Sequence, residues 1–530
     1  GAGAAPVPGP LARAGGLTRV NVRAPLLASG GRAVVTASGG ESAPGVSPPA
    51  RCRSHHSFHC SFVRMARPVD SSSPADSAGP ACEPGPAVAT GPTRHLDWFS
   101  GAMVVAANMV GMGVFTTAGY MLGALGSPPA VLLAWVVGGI AAVCGGLCYA
   151  ELGAALPRNG GEFQLLSRIY HPLIGLTAGW IALVVGFAAP LAFYAHFFGT
   201  YLHGLWPQLP VFAGGLLLIG LVTLQRSLHV AEGTRLHNAM TLVRLLLVAG
   251  LAVAGLTLGD PTRLWPTTAP PLSQSVWQAA FAVQLVYVSF AYSGWNASAY
   301  LLAEFHEPRR DMPRAVLLGT GLVLLLYLAL NAGFLMAAPP EVLANQEEVA
   351  KLATESVLGP RVARGVAGLI AIGLLTTASS NLLAGSRVCQ AMGSLYRPLR
   401  FLDWQAGSRA PLPAIFLQAL MAVGLLATAS FEGLMNYIGL TLSLSAMATV
   451  AGLFVLRWRA PQWPRPYRCW GYPVTPLAFL ALEGWMVVHT LQQKPQAGRW
   501  SLVTIAVGLL VASVVWFAAG CPADRSDSPD

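Results

Sequence analysis

Phe290-Ala291-Tyr292-Ser293-Gly294-Trp295-Asn296 interrupts an apolar run, 275–303, that is otherwise long enough to cross a bilayer. A helix in hydrocarbon has only its own backbone partners, so Ser, Gly and Asn at that depth do not belong to a plain anchor. Five spans earlier, Val110-Gly111-Met112-Gly113-Val114-Phe115 sets two glycines at a similar depth in the run 98–123. Glycine-interrupted spans at matching places in two halves mark a binding site near the membrane midplane. An unwound turn frees backbone N–H groups beside the positive end of a half-helix, which suits a carboxylate. Freed carbonyls in turn accept bonds from an ammonium. Close helix packing explains either glycine pair taken alone, but the matched spacing and the polar Tyr-Ser-Gly-Trp-Asn run favour a site.

Outward from these stretches the chain keeps one character. Hydrophobic residues make up 54% of the 530 and charged residues 10%, against about 25% charged in soluble domains. Twelve runs of membrane length follow one another, near 98–123, 129–155, 173–203, 209–225, 237–258, 275–303, 314–338, 362–394, 412–430, 434–457, 473–491 and 500–520. None of the long ones alternates as a barrel strand does. The expected fold is an all-α integral membrane protein of twelve transmembrane helices. Two inverted repeats of five spans each, about 98–258 and 275–457, are followed by two further helices over about 473–520 and a short tail, 521–530.

The net charge of +10 comes from arginines in the tail and between apolar runs, with Lys351 and Lys494 the only lysines. That is the charge pattern of membrane-protein loops and not of a nucleic-acid face. Arg158, Arg168, Arg226, Arg235, Arg309, Arg310, Arg314, Arg397, Arg400, Arg409, Arg457, Arg459, Arg465 and Arg468 fall in one set of loops, expected inside. Loop 339–361 on the other side holds Glu341, Glu347, Glu348 and Glu355. Both termini are expected in the cytoplasm.

Residues 1–94 are low in complexity and are expected to be disordered. Their arginine-rich, acid-poor start has the composition of a transit peptide. In the simpler reading Met65 opens the native tail, with 1–64 an artefact or a disordered extension. Cys52, His55, His56, His59 and Cys60 lack the spacing of a zinc finger, and no metal or cofactor is expected. The eight cysteines suggest no disulfide framework.

The sixth span and its exit, Phe290 to Asn296, then Glu304, then Glu307-Pro308-Arg309-Arg310-Asp311-Met312-Pro313, resemble the amino acid–polyamine–organocation (APC) superfamily, in its L-type amino acid transporter branch. Gly111 to Phe115, Tyr149-Ala150-Glu151-Leu152, Pro157 with Gly160-Gly161, Leu383 to Arg387 and Arg465-Pro466-Tyr467-Arg468 extend the likeness over about 95–475. The resemblance implies a LeuT-like fold working by alternating access, not an enzyme. Carried over by residue, Val110, Gly111, Met112, Gly113 and Val114 would hold a substrate carboxylate. The carbonyls of Phe290, Ala291 and Ser293 would take the amino group, with Gly294 in the same turn. Trp295 would gate the side-chain pocket and Asn296 would be a polar contact.

Three positions depart from the family pattern. Met112 stands where relatives have Ser or Ala, and Ser293 where many have Gly; both narrow the pocket. Arg244 in the fifth span aligns with a lysine whose ammonium takes the place of sodium, and Thr376, Ser379 and Asn381 fall where relatives line that ion site. A structural arginine, hydrogen-bonded to carbonyls or snorkelling towards the inner surface, is the competing account of Arg244. An arginine in the ion site cannot cycle a proton near neutrality, so sodium-independent transport is expected. Glu151, Glu304 and Arg387 are candidates for an inner gate; solvated interfacial charges are the bland alternative.

No carboxylate lies in the pocket segments, which favours neutral amino acids as substrates. A cationic amino acid or polyamine antiporter would need an acid facing the cavity, and Glu483 is the one acid well inside a late span. A non-transporting nutrient sensor would need a large cytoplasmic domain. The loop Gly199 to Val211 has no cysteine, so no disulfide-linked heavy chain is expected beside the lipid bilayer and the substrate. The bias to Arg, Ala, Gly and Pro points to a bacterial inner membrane.

Overall fold

A computed structural model describes residues 97–111, 113–156, 161–228, 234–266, 270–295, 305–404 and 411–520. Helices build it throughout, and no strand occurs among the described residues. In order they are α1 (Trp98–Met109), α2 (Thr117–Leu125), α3 (Pro128–Ala155), α4 (Gly161–Ile169), α5 (Pro172–Leu205), α6 (Val211–Ser227), α7 (Thr234–Leu258) and α8 (Ala279–Ala291). Then come α9 (Pro308–Ala337), α10 (Val349–Leu358), α11 (Pro360–Leu395), α12 (Leu412–Thr428), α13 (Phe431–Arg459), α14 (Val474–Gln493) and α15 (Pro495–Ala518).

Local chemistry sets the helix starts. Proline opens α3, α5, α9, α11 and α15, where its missing N–H costs no bond. Asp97 caps α1 by accepting from the Ser100 amide at 2.9 Å, and Ser430 caps α13 through the Gly433 amide at 3.2 Å.

Among the described residues, eight helices are long and apolar enough to cross a membrane: α3, α5, α7 over Ala239–Leu258, α9, α11, α13, α14 and α15. The other four expected runs appear as shorter apolar helices, α1, α6, α8 and α12. For α1 and α8 the reason is visible, since each stops where the polar or glycine-rich stretch begins. Within α5, Ala182–Ala188 is wound as π-helix, a local widening that often accompanies function.

The core is aromatic. Trp135, Tyr201, Tyr292, Tyr327, Phe193 and Phe197 are all fully buried. Large apolar side chains on the outside, such as Leu246, Leu420, Leu510 and Phe517, are well exposed. A water-soluble bundle would not leave such faces bare, whereas lipid covers them without penalty.

Candidate substrate site

Helix α1 ends with the Val110 amide bonded to the Ala106 carbonyl at 2.9 Å. The Gly111 amide then turns back to the Met109 carbonyl at 2.7 Å, one tight turn spans Gly113–Phe115, and α2 resumes at Thr117. Helix α8 ends at Ala291, and Tyr292 to Trp295 form a turn in which the Ser293 amide reaches the Phe290 carbonyl at 3.0 Å.

The two breaks lie against each other. Gly294 has φ +121°, and a Cβ there would sit 2.6 Å from the Asn108 carbonyl oxygen at the end of α1. Only glycine takes both that backbone angle and that approach. From the other side, a Cβ on Gly113 would be 3.3 Å from the Ala291 Cα. Ser293 is exposed in this turn, while Phe290 is buried and its ring stands edge-on to Phe193. Met112, Asn296 and Glu304 lie outside the described residues.

Two side chains from other spans reach into the breaks. The Tyr327 hydroxyl of α9 is 2.8 Å from the Met109 carbonyl and 3.3 Å from that of Ala291. Arg244 of α7 donates from Nη1 to the Val110 carbonyl at 3.1 Å and from Nη2 to the Thr376 hydroxyl of α11 at 3.3 Å. It therefore points inward and does not snorkel. A cavity of about 150 Å³ adjoins it, lined mostly by apolar groups including Phe115, Met240, Val243 and Leu247. Ser379 does not join Thr376 in this contact. Its hydroxyl donates to Gln225 of α6 at 2.9 Å, and its carbonyl accepts from Arg226 at 3.1 Å. Less than one turn along α11 is enough to change the neighbouring helix.

The Trp295 ring is packed edge-on to Tyr149, 4.7 Å between centroids, and beside Phe479 at 6.1 Å. Tyr149 donates to Glu162 at 2.6 Å, and Ser445 donates to the other oxygen of that carboxyl.

Of the charges grouped as an inner gate, Glu304 lies outside the described residues, and Glu151 and Arg387 make no ion pair with each other among them. Arg387 is exposed on α11. Glu151 is no solvated interfacial charge either: it has 0% exposure and a bidentate pair with Arg457 at 2.9 and 2.6 Å. The Cys469 amide donates to it at 2.6 Å, and Arg465 stands 3.7 Å away. Its partners lie about three hundred residues on, at the end of α13 and beyond.

At the opposite end, the segment after Leu343 folds onto α2. The Asn345 amide reaches the Gly119 carbonyl at 2.8 Å, and Glu347 accepts from Tyr120 at 3.0 Å. Its second oxygen is 3.0 Å from His196 Nε2 and 3.4 Å from the Thr200 hydroxyl. Burial works against the charge of Glu347, but these bonds outweigh it and hold the carboxyl below its ordinary range.

Sequence does not single out Tyr327, and it names Arg457 and Arg465 only as loop arginines, the second also as part of the family likeness. A lone tyrosine with Asn331 one turn on, inside the apolar seventh span, was the available signal for the first.

A family model described as amino acid permease matches residues 96–521. The chain belongs to that family. It is a multi-pass membrane transporter and not an enzyme. It is similar to the large neutral amino acids transporter small subunit 2 of Homo sapiens, 29% identical over 428 residues and 78% of each chain. Similarity extends to the Asc-type amino acid transporter 1 of Mus musculus, at 27% over 420 residues, 77% of this permease and 79% of that protein. The b(0,+)-type amino acid transporter 1 of Homo sapiens is 24% identical over 438 residues, 80% and 87% of the two chains.

Two expectations are corrected here. The first relative is by its name a small subunit, which runs against expecting no heavy chain for this permease. The missing cysteine between Gly199 and Val211 speaks only to a disulfide at that place. These relatives are mammalian, so the bacterial inner membrane inferred from composition has no support among them.

Proposed function

We propose that this permease moves amino acids, neutral ones above all, by alternating access through a twelve-span bundle of two inverted five-helix repeats and two further helices. In this reading the short helices α1, α6, α8 and α12 complete the twelve spans, and the arginine-rich loops face the cytoplasm. The observation that carries it is the mutual contact of the two helix breaks, Gly294 on Asn108 and Gly113 on Ala291. Polar backbone opened in the middle of a membrane bundle is tolerable where it lines a cavity, and the pairing gives one small volume both donor and acceptor character.

The turn Val110 to Val114 would take the substrate carboxylate. The carbonyls of Phe290, Ala291 and Ser293 would take the ammonium; that of Ala291 holds one bond, from Tyr327, and keeps a second lone pair. Trp295 would gate the pocket, and Asn296 would touch the side chain. Arg244, tied to Val110 and Thr376, would serve as a fixed cation in place of a sodium ion. A neutral preference agrees with the pocket segments, which carry no carboxylate, and with the name of the first relative.

Uptake of labelled amino acids into proteoliposomes, with and without internal substrate, sodium and a pH gradient, tests this. Uptake of neutral amino acids without sodium supports it. A strict sodium requirement overturns the role given to Arg244, and uptake of polyamines alone overturns the substrate class.

A further inference from the structure

Glu483 lies halfway along α14 with 4% of the residue exposed. The Ser289 hydroxyl of α8 donates to its Oε1 at 3.3 Å, and the Ser443 hydroxyl of α13 lies beside the carboxyl. Its other oxygen, Oε2, is buried and makes no hydrogen bond. Among the described residues no cation pairs with it. Two hydroxyls do not compensate the desolvation of a carboxylate at such a place.

The position of this carboxyl is also particular. One turn earlier on α14, Phe479 packs on Trp295, in the turn that follows α8. Glu483 itself bonds to Ser289, two residues before α8 ends at Ala291. One face of α14 therefore touches the sixth span on both sides of its break. A movement of that break changes the surroundings of the carboxyl.

We propose that Glu483 is a proton-binding site of the transport cycle, neutral in this conformation and ionised when the broken sixth span moves away. The inference rests on the alternating-access reading above. The step is a plain dissociation: the carboxyl O–H breaks, its electron pair stays on Glu483, and the proton passes to water in the newly opened cavity. Reprotonation follows when the break closes again. Four helices pack against α14, namely α3, α8, α13 and α15. Of their groups, the hydroxyls of Ser289 and Ser443 face the carboxyl, and no charged or titratable side chain among the described residues acts on it. Its burial under two hydroxyls also argues against a contact with the side chain of a cationic substrate.

Infrared spectra of the reconstituted full chain, compared between neutral and alkaline pH, test the protonation directly. A protonated-carboxyl C=O band present in wild type and missing in Glu483→Gln supports the proposal. Should that variant fail to assemble, Glu483→Asp is expected to shift the band. The same band in wild type and variant, or none in either, overturns it. Proteoliposomes with an internal pH dye supply the second measurement. Amino acid uptake in wild type is expected to change several-fold with an imposed pH gradient and to carry a proton signal, both lost in Glu483→Gln. Amino acid uptake with no proton signal overturns this inference and leaves the transport reading standing. Absence of amino acid uptake overturns the transport reading, and the infrared band then decides the state of Glu483 alone.

Discussion

The hydroxyl of Tyr327 lies 2.8 Å from the carbonyl oxygen of Met109, the last residue of α1. The same hydroxyl is 3.3 Å from the carbonyl oxygen of Ala291, the last residue of α8. A hydroxyl has one proton, so at any moment it serves one helix end, and the 2.8 Å contact is the stronger bond. One group from α9 therefore answers for carbonyls that both breaks have deprived of their helical partners. Tyr327→Phe keeps the ring and removes the donor, leaving buried carbonyls short of a bond at a cost of about 1–3 kcal/mol. Uptake is expected to fall by roughly tenfold or more, since about 1.4 kcal/mol is a factor of ten, while size-exclusion behaviour stays that of wild type.

That contact also marks the limit of what the residues disclose by themselves. The two breaks are legible because glycines recur at matching depth in two spans, beside a polar run that close helix packing alone does not require. Nothing local in Leu-Tyr-Leu-Ala assigns a partner to Tyr327, because its partners are backbone atoms of two other spans. Glu151 is similar: an acid at the end of an apolar run reads as interfacial, and its pairing with Arg457 exists only after α3 and α13 have packed. Thr376 and Ser379 differ by less than one helical turn, yet one meets Arg244 and the other Gln225.

Gly294 is held at φ +121° with the Asn108 carbonyl in the place a side chain would need. Gly294→Ala adds both a strained backbone, about 1–3 kcal/mol, and a clash between the two breaks. Uptake is expected to be lost even where the protein still inserts, and surface labelling alongside uptake separates the two. Wild-type transport by this variant would show that the breaks need not touch.

Glu151 is the one acid among two arginines and an amide at the end of α3. Glu151→Gln keeps the shape and leaves Arg457 and Arg465 without their counter-charge. Breaking a buried pair costs about 3–5 kcal/mol; Arg457 keeps partial contact with solvent, so the lower end of that range is expected. Thermal unfolding in detergent should drop by several degrees, and Arg387→Gln, at an exposed position, should leave it unchanged.

Arg244 makes two hydrogen bonds that join the first span to the eighth. Arg244→Lys retains the charge but offers a point ammonium in place of a planar fork, so reduced, still sodium-independent uptake is expected. Arg244→Ala removes the charge and both bonds. Its uptake should be lost with choline as the external cation and partly restored by sodium; loss in both would mean that the arginine is held for its two hydrogen bonds and not in place of the ion.

Glu347 ties the segment before α10 to Tyr120, His196 and Thr200. Its carboxyl is held below the ordinary range, so the folded state binds the proton less readily than the unfolded chain. The sign follows: the contribution to stability is complete above the unfolded carboxylate value, roughly pH 4, and is lost as pH falls through the lower folded value. The difference in unfolding temperature between wild type and Glu347→Gln should be constant near neutrality and shrink on acidification below about pH 4. A difference that instead grew with acid would mean that the carboxyl is protonated in the native protein, and that the latch on α2 is held by a neutral acid.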